Sequence, residues 1–341
     1  MSNDYVSYVK EATFGLKPTL SNVESASVLS EALRPSRAFE TDMGTFYPNV
    51  RDPVSGRFST SGSIRWQLGP ENGIGKALQS MLGPDVSVDV GAGGGGISHT
   101  WSDNPTGGIP SSLSTMSILT TRAYQLAQWD YLGQACSRIR LEAVPNQTVR
   151  AEAEWMGDFE TINASPDAPT IPTQQPFAAH ETDWKIGASP TSEPRVEGWS
   201  VEVSREVEIP PSISAIRSGG TGSVRRVYGG GVTVTGRADI DFDTLLYYKR
   251  FYGGDSDVTP ADRVTARNVQ IDIVSPDLTE AGQNYQLLVK LPKIVFENVE
   301  ANQSGRDRIV GGFPFKAYFD TTAGYSVQFV LINTRSLTFY Q

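Results

Sequence analysis

Two stretches of this chain repeat each other in order, and that constrains its fold more than any single motif does. Gly56-Arg57-Phe58-Ser59-Thr60-Ser61-Gly62-Ser63-Ile64-Arg65-Trp66 is a strand-like run that leads into a short helical run ending at Met81-Leu82-Gly83. Gly231-Val232-Thr233-Val234-Thr235-Gly236-Arg237-Ala238-Asp239-Ile240 leads in the same way to Phe251-Tyr252-Gly253. The flanks match in the same order. Val23 to Glu31 precedes the first run and Val196 to Ser204 the second, and Leu141 to Thr148 answers to Phe296 to Ser304 with one residue inserted. Conserved order along both halves predicts one β-rich unit present twice, a natural part for a ring or other symmetric assembly. The competing explanation, that β-rich sequences align through composition alone, stays open at this level.

A chain of 341 residues can bury two ordinary cores, in agreement with a duplication. Gly (33) and Pro (21) are plentiful while charged residues are 20%, a mixture that suits strands joined by many turns. The net charge of −9 is spread along the chain and argues against tight, non-specific nucleic-acid binding, which needs Lys and Arg to neutralise phosphates. Cys136 is the single cysteine, so no intrachain disulfide forms, and a buried apolar role is expected. Met1-Ser2-Asn3-Asp4 lacks the basic and apolar pattern of a secretory signal, and no apolar run reaches the ~18 residues of a membrane span. A soluble product made in the cytosol, with no membrane partner, is expected.

Prolines at 166, 169, 172 and 176 mark an extended linker, which predicts a first unit over 1–157, a linker over 158–180 and a second unit over 181–341. Strands are predicted throughout, among them Trp199 to Ile209, Gly231 to Phe242, Tyr285 to Leu291 and Lys293 to Val299. Helices are predicted at Ile74 to Leu82 and Asp243 to Tyr252, each with apolar spacing of three and four and a closing glycine. Ile118 to Tyr131 fits helix or strand. Leu33 to Ser55 and Pro210 to Ser223 read as long hairpin arms leaving the body, and Arg217, Gly219, Gly220, Gly222, Arg225 and Arg226 lie in or beside the second.

No set of residues assembles into a catalytic or metal site. Val86-Ser87-Val88-Asp89-Val90 followed by Gly91 to Gly96 has the spacing of a dinucleotide-binding turn, but Ile97-Ser98-His99-Thr100-Trp101 is unsuited to open the required helix, so a glycine loop is the better reading. Asp239, Asp241 and Asp243 share one strand face, and with Thr244 and Arg250 at the wrong places for a calcium loop they read as a solvated or lumen-facing acidic strip. The two histidines, His99 and His180, are far apart and complete neither a zinc cluster nor a nucleophilic triad. Trp66, Trp155, Trp184 and Trp199 sit in or beside strand-like runs and are expected in the core. No cofactor and no enzymatic activity are expected.

The order of parts resembles that of the major tail tube proteins of long, non-contractile-tailed viruses. The resemblance rests on Glu11 to Gly15 near an N-terminal strand, a long arm, a Val/Thr-rich strand with a central glycine (Gly62, Gly236), a short helix closing at Gly83 or Gly253, and closing strands around a Leu291-Pro292-Lys293-Ile294 turn. It implies an all-β chain with short helices, in which two tandem β-sandwich or half-barrel units contribute to an inner β-barrel formed by several copies. It further implies a structural virion protein stacking as rings, trimeric with pseudo-sixfold symmetry, into a hollow tube through which viral double-stranded DNA passes without specific binding. The arm residues would then make inter-ring contacts, the acidic strip would face the lumen, and tape-measure, tail-terminator and tail-tip proteins would be partners besides the chain itself. The alternative is a tandem β-sandwich carbohydrate-binding or adhesin module, whose aromatics would line an exposed face.

Overall fold

Alternation of apolar and polar residues makes most of this chain strand. In Arg150–Gly157, Ala151, Ala153 and Trp155 are buried while Glu152 and Glu154 point outward, the period-two pattern of a sheet with one wet face. The computed structural model describes residues 4–40, 54–90, 96–104, 113–122, 127–167, 172–187, 189–210, 227–241, 245–262, 264–278, 283–299 and 310–341. The first half comprises β1 (Tyr5–Lys10), β2 (Glu24–Glu31), β3 (Arg34–Glu40), β4 (Val54–Gln67), α1 (Ile74–Leu82), β5 (Val86–Asp89), β6 (Ile97–Ser102), β7 (Met116–Arg122), β8 (Ala127–Ala143), β9 (Arg150–Gly157) and β10 (Phe159–Asn163). The second comprises β11 (Thr182–Ile186), β12 (Thr191–Ser192), β13 (Val196–Glu208), β14 (Tyr228–Asp241), α2 (Leu246–Tyr252), β15 (Arg267–Leu278), β16 (Asn284–Phe296), β17 (Val310–Ala317) and β18 (Gln328–Asn333). The chain is thus all-β with two short helices among the described residues.

Apart from β1, which also pairs with β2, and β11, which also pairs with β12, strand pairing follows the same order in both halves. In the first, β1 pairs with β7, β7 with β8, β8 with β9 and β10, β9 with β4, and β4 with β2 and β3. In the second, β11 pairs with β15, β15 with β16, β16 with β17 and β18, β17 with β14, and β14 with β13. Irregularities recur too. The β7–β8 register slips between Met116/Gln134 and Ile118/Tyr131, and the β15–β16 register slips between Arg267/Ile294 and Val269/Leu291. Such bulges bend the long strands, so that β8 lies in one layer by its first half, against β7 and β10, and in the other by its second half.

Two seams join the halves. Ala143 to Arg138 of β8 pairs antiparallel with Trp199 to Ser204 of β13, so one sheet runs β4-β9-β8-β13-β14-β17 across both halves. β6 pairs with β18, which adds the β5–β6 hairpin to the second half's sheet. The inner face of the shared sheet, with Trp66, Trp155, Trp199, Val201, Ile240 and Phe315, belongs to one continuous apolar core.

Several expectations change here. Leu291-Pro292-Lys293-Ile294 is no turn, because β16 runs straight through it. Pro292 sits at the bulge facing β15, where a missing N–H costs little. Ile118 to Tyr131 belongs to the β7–β8 hairpin. Phe159–Asn163, counted in the linker, is strand β10 paired along Gln128–Leu132. The flank match also shifts: Arg34 faces Ser61 where Glu202 faces Thr235, so β13 aligns with the strand around Arg34 five residues later than the sequence comparison placed it. The shift is uniform along the strand: Val28 faces Trp66 where Val196 faces Ile240, so β2 and β3 together align with β13 at one offset.

Candidate assembly surface

The outer face of the shared sheet is a lattice of alternating charge. Across the strands, Arg65 faces Glu152, Glu152 faces Arg140, Arg140 faces Glu202 and Glu202 faces Thr235, which in turn faces Lys316. Arg138 reaches Glu154 at 2.6 Å, Glu152 at 3.5 Å and Glu202 at 3.5 Å, and Arg65 reaches Glu142 at 3.3 Å. These side chains are half-exposed, so each pair contributes only about 0.2–1 kcal/mol. Their larger effect is to leave the face without a one-sided field. Asp239 and Asp241 lie on this face of β14, beside buried Ala238 and Ile240. Asp239 is held by Arg237 at 2.8 Å. Asp243 lies outside the described residues.

The described residues on either side of the second expected arm lie on the first half's surface. Ile209 and Val227 at its base form a small apolar cluster with Leu113 and Ala135, and Leu113 N–H donates to Val227 O at 2.9 Å. Arg205, 4% exposed, donates from Nη1 to Met81 O at 2.6 Å and from Nε to Gly230 O at 3.1 Å. Arg217, Gly219, Gly220, Gly222, Arg225 and Arg226 lie outside the described residues.

The C-terminal tail is pinned to α1. Lys76 Nζ donates to Phe339 O at 2.8 Å and to Gln79 Oε1 at 3.4 Å, and sits 4.4 Å over the Phe339 ring. Tyr340 O–H donates to Glu24, whose other oxygen accepts Lys76 N–H at 3.3 Å. Lys10 Nζ holds Gln341 O at 2.7 Å. Beside them His99 Nδ1 meets Asp85 Oδ2 at 2.6 Å and its Nε2 meets Arg335 O at 3.3 Å. Burial is the main cause that pushes Lys76 down to about 8 and Glu24 above the usual carboxylate range. This cluster escaped the sequence reading because its members are scattered from Lys10 to Gln341.

Apolar residues are exposed at strand edges that have no partner among the described residues, as at Val86 and Val88 (57% each) on β5 and Ile162 (66%) on β10. Such edges invite pairing with another chain. Trp66, Trp155, Trp184 and Trp199 offer no sugar platform, being 0–4% exposed and packed in the core. Cys136 is buried and burial pushes its thiol far up, so it packs as an apolar side chain. The glycine run at 91–96 precedes strand β6 rather than a helix, and Val90 N–H donates to Gly96 O at 2.9 Å across it, which removes the dinucleotide reading. No curated protein matches the chain. A family model described as phage tail tube protein matches residues 2–305.

Proposed function

The chain belongs to the phage tail tube protein family, a structural, non-enzymatic component of the virion tail that assembles into a tube with other tail proteins, and we propose that three copies close each ring of that tube. The observation that carries this reading is the shared pairing order of the two halves, together with the β8–β13 seam between them. If the halves are copies of one unit, that seam is the joint between neighbouring units of a ring, made once within the chain and once between chains. Three chains then supply six quasi-equivalent units. Rings stack through the two arms, with Arg217, Gly219, Gly220, Gly222, Arg225 and Arg226 as inter-ring contacts. The charged outer face of the shared sheet lines the lumen, with Asp239, Asp241 and Asp243 among its anions, and double-stranded DNA passes it without being held. Tape-measure, tail-terminator and tail-tip proteins set the tube's length and ends.

The test is electron microscopy of the purified chain before and after concentration and warming, with the mass of single rings. Hollow tubes built of rings three times the 37.0 kDa chain mass are expected. Rings of six chains, or monomers under every condition, would overturn the trimer.

A further inference from the structure

Arg37 and Arg205 hold the same place in the two halves. Arg205 faces Val232 and the register then slips, with Val207 facing Gly229. Arg37 faces Phe58 and the register slips at the same step, with Phe39 facing Ser55. A bulge at the same point of two equivalent hairpins aims the two arginines alike. Arg205 is buried and gives Nη1 to Met81 O, in the last turn of α1. A guanidinium there satisfies a terminal carbonyl at the negative end of the helix.

The outer members of this arrangement lack what the inner ones have. Arg37 is exposed, and among the described residues its guanidinium meets only the Phe58 ring, 5.6 Å away. All nine residues of α1 are buried, whereas α2 buries only Tyr247 and leaves Leu245 at its start 64% exposed. Counted back from the closing glycines, Gly83 and Gly253, the position of Met81 is that of Phe251. Asp255, just beyond, holds Arg250 and Arg267 at 2.9 Å each and keeps a carboxylate at that corner.

We propose that Arg37 of one copy closes the C-terminal end of α2 in a second copy of this chain, at the Phe251 carbonyl, as Arg205 closes α1 within the chain. The contact would form together with the seam between chains, and it rests on the ring reading above. It makes the exposed arginine of β3 a determinant of assembly without a part in folding the monomer.

The test mixes two variants, Arg37→Cys and Tyr252→Cys, allows them to assemble, and adds a short bismaleimide. Cys136 is buried and stays unreacted. Covalent dimers that need both variants, and form only after assembly, are expected. Arg37→Ala is expected to keep the monomer's melting temperature while raising the concentration needed for assembly about tenfold, the effect of losing one charge-assisted hydrogen bond. Normal tubes with no cross-link, and normal assembly of Arg37→Ala, would overturn the Arg37 contact and leave the ring intact. A wild-type chain that never assembles would overturn the ring reading and this contact with it.

Discussion

Gly62 and Gly236 illustrate how a single position can be legible in kind and illegible in cause. Both stand at the centre of Val/Thr-rich strands, and their sequence setting marks them as equivalent. What the sequence does not reveal is why a side chain is forbidden there. A Cβ at Gly62 would lie 2.1 Å from Ala32 O, and one at Gly236 2.3 Å from Phe315 Cζ and 2.6 Å from Ser200 O. In each case a neighbouring backbone carbonyl occupies the space. Gly236→Ala is therefore expected to destabilise the isolated chain by about 1–3 kcal/mol through overpacking, read as a lower urea midpoint with unchanged slope. An unchanged midpoint would mean that β13 and β14 separate at no cost.

Among the elements, α1 was legible to the residue, since Ile74, Ala77, Leu78, Met81 and Leu82 repeat at helical spacing between two glycines. α2 is shorter than its pattern, with Leu246–Tyr252 helical. The sequence pattern divides β16 in two because proline is a breaker in most sequences, and only the bulge that β16 itself makes against β15 renders it harmless. The docking of the tail on α1 is hidden in the sequence, because Lys76 on a buried helix gives no sign that it meets the Phe339 carbonyl. Its burial has a measurable result. Lys76 titrates at about 8 in the folded chain against an ordinary 10.5, so the unfolded chain binds more protons between those values and stability rises with pH there; as pH falls toward 8 that stability is lost. Between pH 7 and 9.5 the gain from this group should be on the order of 1–2 kcal/mol. Lys76→Met should lose it, flattening the alkaline limb of melting temperature against pH, and an equally steep limb in the variant would assign the dependence to other groups.

Across the whole molecule, strand content and the order of parts could be read from periodicity, whereas the seams could not. Pairing of Arg138–Ala143 with Trp199–Ser204 joins residues some sixty positions apart through backbone groups that leave no mark in side-chain pattern. The charge lattice was likewise visible only as an overall acidic excess with three aspartates, since Arg138 meets Glu154 and Glu202 only once three strands are laid side by side. Its near balance carries a prediction. Glu154→Lys combined with Glu202→Lys should give tubes that retain linear DNA at low salt and release it as salt rises, while wild-type tubes retain none. Equal retention by both would place the lattice away from the DNA path. The fused seam has a further consequence, for kinetics. A six-unit ring built from separate units needs six bodies to meet and six joints to form from solution. In the proposed three-chain ring every second joint would already be tied at the high effective concentration of a single chain, and closure would need three. Nucleation would then follow roughly the third power of protein concentration, so that the same ring could start in a far more dilute cell.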